Sequence, residues 1–438
     1  MFSVSGLRGI VNEDLTPDIV RQYAKLFGEF FQARKVVIGR DCRRSGPAFR
    51  DAVIRGLAEI GIEVIDLGIV PTPTVCFMVR KLSAQAGIAI TASHNPQQWN
   101  ALKFITSRGE FPVEREFQAF AKYVKKNELI FPAQKPGRIR VHTSGPADHI
   151  ARVVSSLKLK PLKLKVGVDA AGGAGSQALP DLLKRLGCQV FPRFCKFTAN
   201  FPRKPEPTPE NIAGLCALVK KKKLDIGFAV DPDADRLSIV DNQGRAIGEE
   251  MTLALAVDYV LSLKRGNVCT NLSTTALLDY ICNQYKCRLY RTKVGEANVV
   301  DMMRKVRAVI GGEGNGGVIY PAVNMTRDAL TGVGIVLKLL QVRRQKLSAI
   351  VAGYPALFMV KDKITLDRME FKDKVARLSR ALPGEVDARD GLRIATPDWW
   401  LHIRPSNTEP IVRIIGEGPD RREIRKKIRL VKTLLTKN

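Results

Sequence analysis

The sequence predicts an α/β fold of three units built in similar order, followed by a smaller α+β module at the C-terminus. Three observations carry this expectation. An apolar β-rich run, a turn containing Gly or Asp, and an amphipathic helical stretch follow one another repeatedly, as expected of parallel strands joined by helices. The 438 residues suffice for roughly three or four domains. Their 45% hydrophobic content can fill the corresponding cores. Finally, the most polar, chemistry-bearing turns directly follow apolar runs, and open α/β sheets bind ligands at the carboxyl ends of their strands.

Taken in order, Lys35-Val36-Val37-Ile38-Gly39 reads as a strand, Pro47 to Ile60 as a helix with an apolar face, and Glu63-Val64-Ile65-Asp66-Leu67 as the next strand. Gly87-Ile88-Ala89-Ile90 is a buried strand that runs into the polar turn Thr91-Ala92-Ser93-His94-Asn95-Pro96. Ser93 would there be displayed as a reactive hydroxyl, although the same residues also make an ordinary capped turn. Leu164 to Asp169 is a strand and Gln177 to Leu186 a helix. The Pro-rich stretch Phe201 to Pro209 must be extended and reads as a loop inside the second unit. Ile226 to Val230 is a strand leading into Asp231-Pro232-Asp233-Ala234-Asp235-Arg236. Leu253 to Leu263 reads as a helix and Ala308 to Gly311 as a strand. Seams near His142 to His149, Gly244 to Gly248 and Val351 to Pro355 divide the chain into 1–145, 146–245, 246–353 and 354–438. The shared order of the first three units points to an old internal duplication.

Composition narrows the function classes. No uncharged apolar run of about 18 residues occurs, and Met1-Phe2-Ser3-Val4-Ser5-Gly6 lacks the regions of a signal peptide, so neither membrane spanning nor export is expected. The eight cysteines (42, 76, 188, 195, 216, 269, 282 and 287) form no Cys-x-x-Cys pair, which fits a reducing cytoplasm. Cys282 and Cys287 have no nearby histidine and make no zinc site. Asp169 to Gly175 is Gly-rich after a strand but lacks the Gly-x-Gly-x-x-Gly register, so NAD is not expected. The net charge of +28, from 71 basic and 43 acidic residues, invites a nucleic-acid hypothesis. Its runs, Lys220 to Lys223 and Arg421 to Lys427, look like solvated helix ends, and no zinc finger, basic zipper or aromatic RNA-binding motif accompanies them.

Three carboxylates at alternate positions suit one divalent cation. An EF-hand requires Gly at the sixth position and Glu at the twelfth, where this chain has Arg236 and Asn242. A phosphatase with a nucleophilic Asp is a rival reading of the same cluster. Arg404, Ser406, Asn407, Thr408 and Arg413 gather donors and two fixed cations suited to gripping a phosphate.

The motifs also occur in a familiar order. Ser5-Gly6-Leu7-Arg8-Gly9, Gly39 to Gly46, Thr91 to Pro96, Asp231 to Arg236, Gly312-Glu313-Gly314-Asn315-Gly316-Gly317, and Arg404 to Pro410 with Arg413 together resemble the α-D-phosphohexomutase superfamily over essentially the whole chain. This superfamily is the phosphoglucomutase, phosphomannomutase and phosphoglucosamine mutase group. The resemblance implies three similar mixed-sheet α/β domains plus a C-terminal α+β domain around a central cleft. In chain order these would carry the phosphoserine, the metal, the sugar and the substrate phosphate. It implies a cytoplasmic isomerase that moves phosphate between the 6- and 1-hydroxyls of a hexose or hexosamine through a bisphosphorylated sugar. Ser93 would carry the phosphate, and Asp231, Asp233 and Asp235 would hold Mg²⁺ with an oxygen of phosphorylated Ser93 as fourth ligand.

Arg8 would face the transferring phosphate, Arg236 would add a planar donor, Lys103 would assist proton transfer, and His94 would orient its loop. Glu313 would hold the 3- and 4-hydroxyls of the sugar, with Asn315 beside it. The expected partner is a sugar phosphate, with no membrane and no nucleic acid, for a monomer or homodimer. The alternative is a nucleic-acid-binding or scaffold protein on a retained mutase fold. Two departures bear on substrate. Asn315 and Gly317 stand where many members of the group have Ser and His, so Gly317 is expected to leave room beside the sugar. Glu296 stands where some have His in a loop that separates substrate classes.

Overall fold

The computed structural model describes residues 2–127, 133–366, 368–406 and 411–436. The first domain runs β1 (Phe2–Ser3), β2 (Gly6–Ile10), α1 (Pro17–Phe30), β3 (Lys35–Arg40), α2 (Gly46–Glu59), β4 (Glu63–Ile69), α3 (Thr72–Lys81), β5 (Ala86–Ile90), β6 (Trp99–Thr106), α4 (Glu114–Lys126) and β7 (Ile139–Val141). Local chemistry starts these helices. Thr16 accepts from the Ile19 amide and Pro17 occupies the first turn of α1, where a missing N–H costs nothing. Side chains alternate across β3, so Val36 and Ile38 face the core under α1 and α2 while Val37 faces the core under α3.

The second domain comprises α5 (Gly145–Ser156), β8 (Lys165–Asp169), α6 (Gly175–Arg185), β9 (Gln189–Arg193), α7 (Ala213–Lys222), β10 (Ile226–Val230) and β11 (Leu237–Val240). The third comprises α8 (Glu249–Leu263), β12 (Val268–Asn271), α9 (Leu277–Gln284), β13 (Leu289–Thr292), α10 (Glu296–Lys305), β14 (Ile310–Glu313), β15 (Gly317–Ile319), α11 (Ala329–Arg343) and α12 (Leu347–Ala352).

One sheet plan recurs in all three domains. Strand orders β4-β3-β5-β6, β9-β8-β10-β11 and β13-β12-β14-β15 each hold three parallel strands and then one antiparallel strand. The first sheet adds β1 and β2 beyond β6, and β7 beyond β4. This is the common order that the sequence suggested, and the sheets are mixed, as the resemblance implies, although the alternation of elements by itself pointed to parallel strands. The connections from β10 to β11 and from β14 to β15 are too short for a crossover, so the last strand of each set can only return antiparallel. Three turns thereby become equivalent. The Ser93 turn, the Asp231 to Arg236 turn and the Glu313 to Gly317 turn each join the third strand of the plan to the fourth.

The second and third domains share one continuous core, which the sequence reading did not anticipate. α8 is buried from Thr252 through Leu261 and α11 from Ala329 through Leu337, so both are enclosed all round, between the β10–β11 side and the β14–β15 side. The first domain keeps separate cores, one rich in Phe. His149, fully buried on α5, ties three domains together: its ring nitrogens lie 2.8 Å from Asp328 Oδ2 and 3.0 Å from Thr74 Oγ1.

The fourth domain is an antiparallel sheet under two helices: β16 (Phe358–Thr365), α13 (Arg368–Ala381), β17 (Glu385–Asp387), β18 (Leu392–Ala395), β19 (Trp400–Pro405), β20 (Ile411–Gly418) and α14 (Arg421–Thr436). On α14, Ile424, Ile428, Val431 and Leu435 are buried, while Arg421, Arg422, Arg425, Lys426 and Arg429 face solvent, as do Lys220 to Lys223. These basic runs form solvated faces. No helix among the described residues is long and apolar enough to cross a membrane. The eight cysteines are unpaired, and five of them are buried.

Candidate active site

Ser93 stands at φ +52° and is 3% exposed, a left-handed conformation that costs energy for a residue with a Cβ and persists only under outside restraint. Arg43 supplies that restraint. Its guanidinium donates to the carbonyls of Ser93 (2.6 Å), Asn95 (2.8 Å), Pro96 (2.7 Å) and Trp99 (2.8 Å). Asp41 anchors Arg43 and also accepts from the Thr91 hydroxyl, which in turn accepts from the Ser93 amide. Arg8 donates to Asn95 Oδ1 at 2.8 Å, and His94 Nδ1 lies 3.4 Å from Ser93 Oγ. Burial and then the charge of Arg236 push the His94 pKa well below the ordinary 6.5, so the ring is neutral at pH 7.

Across the domain boundary, Ser93 Oγ donates to Asp231 Oδ2 at 2.7 Å. Asp231 also shapes its own loop, accepting from the amides of Asp235 and Arg236. The Gly-rich turn after β8, without a nucleotide fingerprint, supports this loop. A Cβ at Gly173 would lie 2.4 Å from the Pro232 carbonyl oxygen, and the Ala174 amide donates to that oxygen. Thr72 of α3 holds Asp233 through both its amide and its hydroxyl. Lys103 is buried on the interior strand β6, donating to Asp233 Oδ2 at 2.6 Å and Asp235 Oδ2 at 3.2 Å. Arg236 donates to Glu206 Oε1 at 2.6 Å, which ties the Pro-rich loop to the site.

The electrostatics are those of a cation site. One ligand oxygen from each of Asp231, Asp233 and Asp235 lies within 4.8 Å of the others, and all three residues are buried. Burial, then Asp233 and Asp235, push the Asp231 carboxyl well above its usual range. Burial also opposes charge on Asp235, but Arg327, Lys103 and Arg236 outweigh it and hold that carboxyl low. Burial opposes charge on Lys103 as well, yet Asp233 and Asp235 raise its pKa, so the ammonium stays protonated. Asp233 Oδ1 and Asp235 Oδ1 are buried with no hydrogen-bond partner, while their Oδ2 atoms are held by protein donors. Hard oxygens left free in this way fit Mg²⁺.

The sugar loop packs directly on the metal loop. Gly316, at φ +84°, brings its carbonyl to the Leu237 amide, and a Cβ there would lie 2.2 Å from the Leu237 oxygen. Glu313 is 4% exposed and accepts from Asn271 Nδ2 (2.9 Å), the Gly295 amide (3.0 Å) and Arg327 Nη1 (3.0 Å). A carboxylate has about four acceptor sites, so roughly one is left for sugar, fewer than the two hydroxyls expected from sequence. Asn315 is partly exposed and its Oδ1 accepts from the Gly317 amide. Glu296 turns inward, both oxygens engaged by Thr326 and Arg327.

On β19 and β20, Arg404 and Arg413 stand directly opposite one another. Like charges so paired repel, and a bound anion would relieve that repulsion. The Ser406 amide donates to the Ile411 carbonyl and closes the loop, while Asn407 and Thr408 lie outside the described residues. Asp390 lies 3.4 Å from Arg404 Nε and accepts from the Val294 amide at 2.9 Å, linking this pair to the third domain.

Models of the phosphoglucomutase/phosphomannomutase α/β/α domains I, II and III match residues 1–130, 147–244 and 248–358, and that of the C-terminal domain matches 360–428. The chain belongs to this family of phosphohexomutases. It is 34% identical to a phosphoglucomutase/phosphomannomutase of Thermococcus kodakarensis, covering 98% of this chain and 97% of the other. It is 30% identical to a phosphoglucosamine/phosphogalactosamine mutase of Sulfurisphaera tokodaii, over 96% and 95%. A solved phosphoglucomutase/phosphomannomutase family protein of Burkholderia thailandensis superposes with a TM-score of 0.87 at 28% identity, covering 99% and 98%.

Sequence reasoning gave no role to Arg43, Thr72 or Arg327 in this phosphohexomutase. Arg43 had a signal, since it lies in the Gly39 to Gly46 motif. The fourth domain docks through a further residue that sequence reasoning passed over, His402. It is fully buried, its Nδ1 2.7 Å from Ser273 Oγ and its Nε2 2.6 Å from the Asp390 carbonyl. Burial pulls its pKa down to about 4 from 6.5, against a smaller opposing pull from Asp390. Because the folded value is the lower one, its stabilising effect is full above pH 6.5 and is lost as pH falls toward 4. The shift corresponds to about 3 kcal/mol. Denaturant unfolding at pH 7 and 4.5 should therefore show a steeper loss for wild type than for His402→Asn.

Proposed function

We propose that this enzyme interconverts 6-phospho and 1-phospho hexoses and hexosamines, glucosamine phosphate among them, through phosphorylated Ser93 and a bisphosphorylated sugar. The observation that carries this reading is the 2.7 Å contact of Ser93 Oγ with Asp231, beside two buried carboxylate oxygens that no protein group satisfies. Asp231, Asp233 and Asp235 would hold Mg²⁺, which when bound neutralises charge on a phosphoryl group. Arg43 and Thr91 fix the serine, and Arg8 and Arg236 add cations near the transferring group. Lys103 balances the outer carboxylate oxygens, and neutral His94 supports the loop. Arg404, Ser406, Asn407, Thr408 and Arg413 would grip the phosphate that is not being transferred. Phosphoryl transfer depends on alignment and charge neutralisation, and these groups supply both. The enzyme would work in the cytoplasm as a monomer or homodimer.

Asn315 presents an amide that both donates and accepts, which suits either a hydroxyl or an amino group on the sugar. Relatives named for hexose and for hexosamine phosphates support this breadth. Kinetics on glucose, mannose and glucosamine phosphates test it. Glu313→Ala is expected to lower kcat/KM about tenfold to a hundredfold on every substrate, the worth of one hydrogen bond to a charged group. Asn315→Ala is expected to change the ranking among them. Absence of hexosamine phosphate turnover, or a wild-type-like Glu313→Ala, contradicts the reading.

A further inference from the structure

Arg327 lies outside every motif, just before α11, yet its side chain reaches three carboxylates: Asp235 in the metal loop, Glu313 in the sugar loop and Glu296 at the start of α10. Nε donates to Glu296 Oε2 (2.9 Å), Nη1 to Glu313 Oε2 (3.0 Å) and Nη2 to Asp235 Oδ2 (2.7 Å). The whole planar fork is used, with a different carboxylate on each nitrogen, and only arginine has this geometry. It binds Asp235 through Oδ2 and so leaves Oδ1 free. Its stem also fills the volume above Gly317. A Cβ at Gly317 would lie 2.2 Å from Arg327 Cδ and 2.7 Å from Cγ. The room that the glycine was expected to leave beside the sugar is thus occupied by Arg327.

We propose that Arg327 is a positioning residue that holds the metal loop and the sugar loop in register, so that either hydroxyl of the substrate meets Ser93 in line. The inference rests on the mutase reading above. One guanidinium shared by Asp235 and Glu313 sets the separation between the point of transfer and the rim that orients the sugar. That separation must serve both half-reactions, because the sugar presents opposite ends in turn to one serine. A misplacement of about 1 Å can cost on the order of a hundredfold in rate.

The test compares Arg327→Met, Arg327→Lys and Gly317→Ala with wild type, by steady-state kinetics on glucose 1-phosphate and by calorimetric titration with Mg²⁺. Lysine keeps the buried charge but reaches one carboxylate, and the methyl group that Gly317→Ala adds competes for the space of the arginine stem. All three variants are expected to lose about a hundredfold in kcat while KM stays within about threefold, and Gly317→Ala, which keeps the guanidinium, is expected to hold Mg²⁺ affinity within about threefold. Should the neutral variant not fold, Arg327→Lys carries the test. The proposal is overturned if lysine restores kcat, if KM rises while kcat is kept, or if Mg²⁺ affinity of Gly317→Ala falls in parallel with its activity. An inactive wild type would instead overturn the mutase reading, and the two failures are distinguishable.

Discussion

Ser93→Ala is expected to remove turnover by about 10⁴-fold or more while the protein stays folded. A carrier hydroxyl has no substitute, because the phosphate must be held covalently while the sugar turns over, and alanine forms no such bond. The structural cost is small by comparison. The variant keeps a Cβ at the same left-handed position and loses one hydrogen bond to Asp231. That loss is worth at most ~3 kcal/mol. Arg43 holds the loop through backbone carbonyls, which alanine retains. Unaltered circular dichroism together with lost turnover is the expected pair. Retention of more than about a tenth of the activity, a difference of under ~1.4 kcal/mol, would contradict the carrier role.

The second large effect is expected from the metal loop. Replacing residues that merely support a ligand costs about 10- to 100-fold in metal affinity, so loss of a direct carboxylate should cost at least ~100-fold. Asp231→Asn and Asp235→Asn are expected to show that loss in Mg²⁺ titrations. Exhaustive chelation of wild type should stop turnover, and added Mg²⁺ should restore it. The two variants should differ in one respect. Asp235 is gripped by Lys103 and Arg327, so its replacement leaves two buried cations undercompensated and should lower stability as well. Full activity after chelation, with no metal found by elemental analysis, would rule out the site.

The residues that make this site were legible where their chemistry is contiguous in the chain. Ser93 and the alternating aspartates stand in turns just after buried strands, and a turn between a strand and its antiparallel neighbour keeps its polar groups together. Even the equivalence of the three turns was foreshadowed by the repeated order of elements. The alternation of elements alone pointed to parallel strands, whereas the antiparallel return that the resemblance implied also has a local signal, since so few residues separate Val230 from Leu237. The shared core of the second and third domains also had a signal: the apolar residues of Leu253 to Leu261 and of Leu330 to Leu337 leave no polar face for solvent.

Arg327 had none. Its role depends on three carboxylates that lie 14 to 92 positions away in sequence, and no local pattern marks an arginine as buried. Gly317 misled for the same reason, because an absent side chain reads as space until the neighbour that fills it is located. Glu313 was recognised as important, but its protein donors, drawn from three separate segments, were invisible to a reading of its own loop.

Covalent phosphate on Ser93 is the most direct measure of the central claim. The unmodified enzyme would be incubated with Mg²⁺ and glucose 1,6-bisphosphate labelled with ³²P, then digested with trypsin and sequenced by mass spectrometry. The label is expected on the peptide Leu82 to Lys103, at Ser93, stable to hydroxylamine, and transferable to added glucose 1-phosphate. Hydroxylamine-labile label on Asp231, Asp233 or Asp235, the mark of an acyl phosphate, would contradict the account, as would label that cannot be passed on to a sugar.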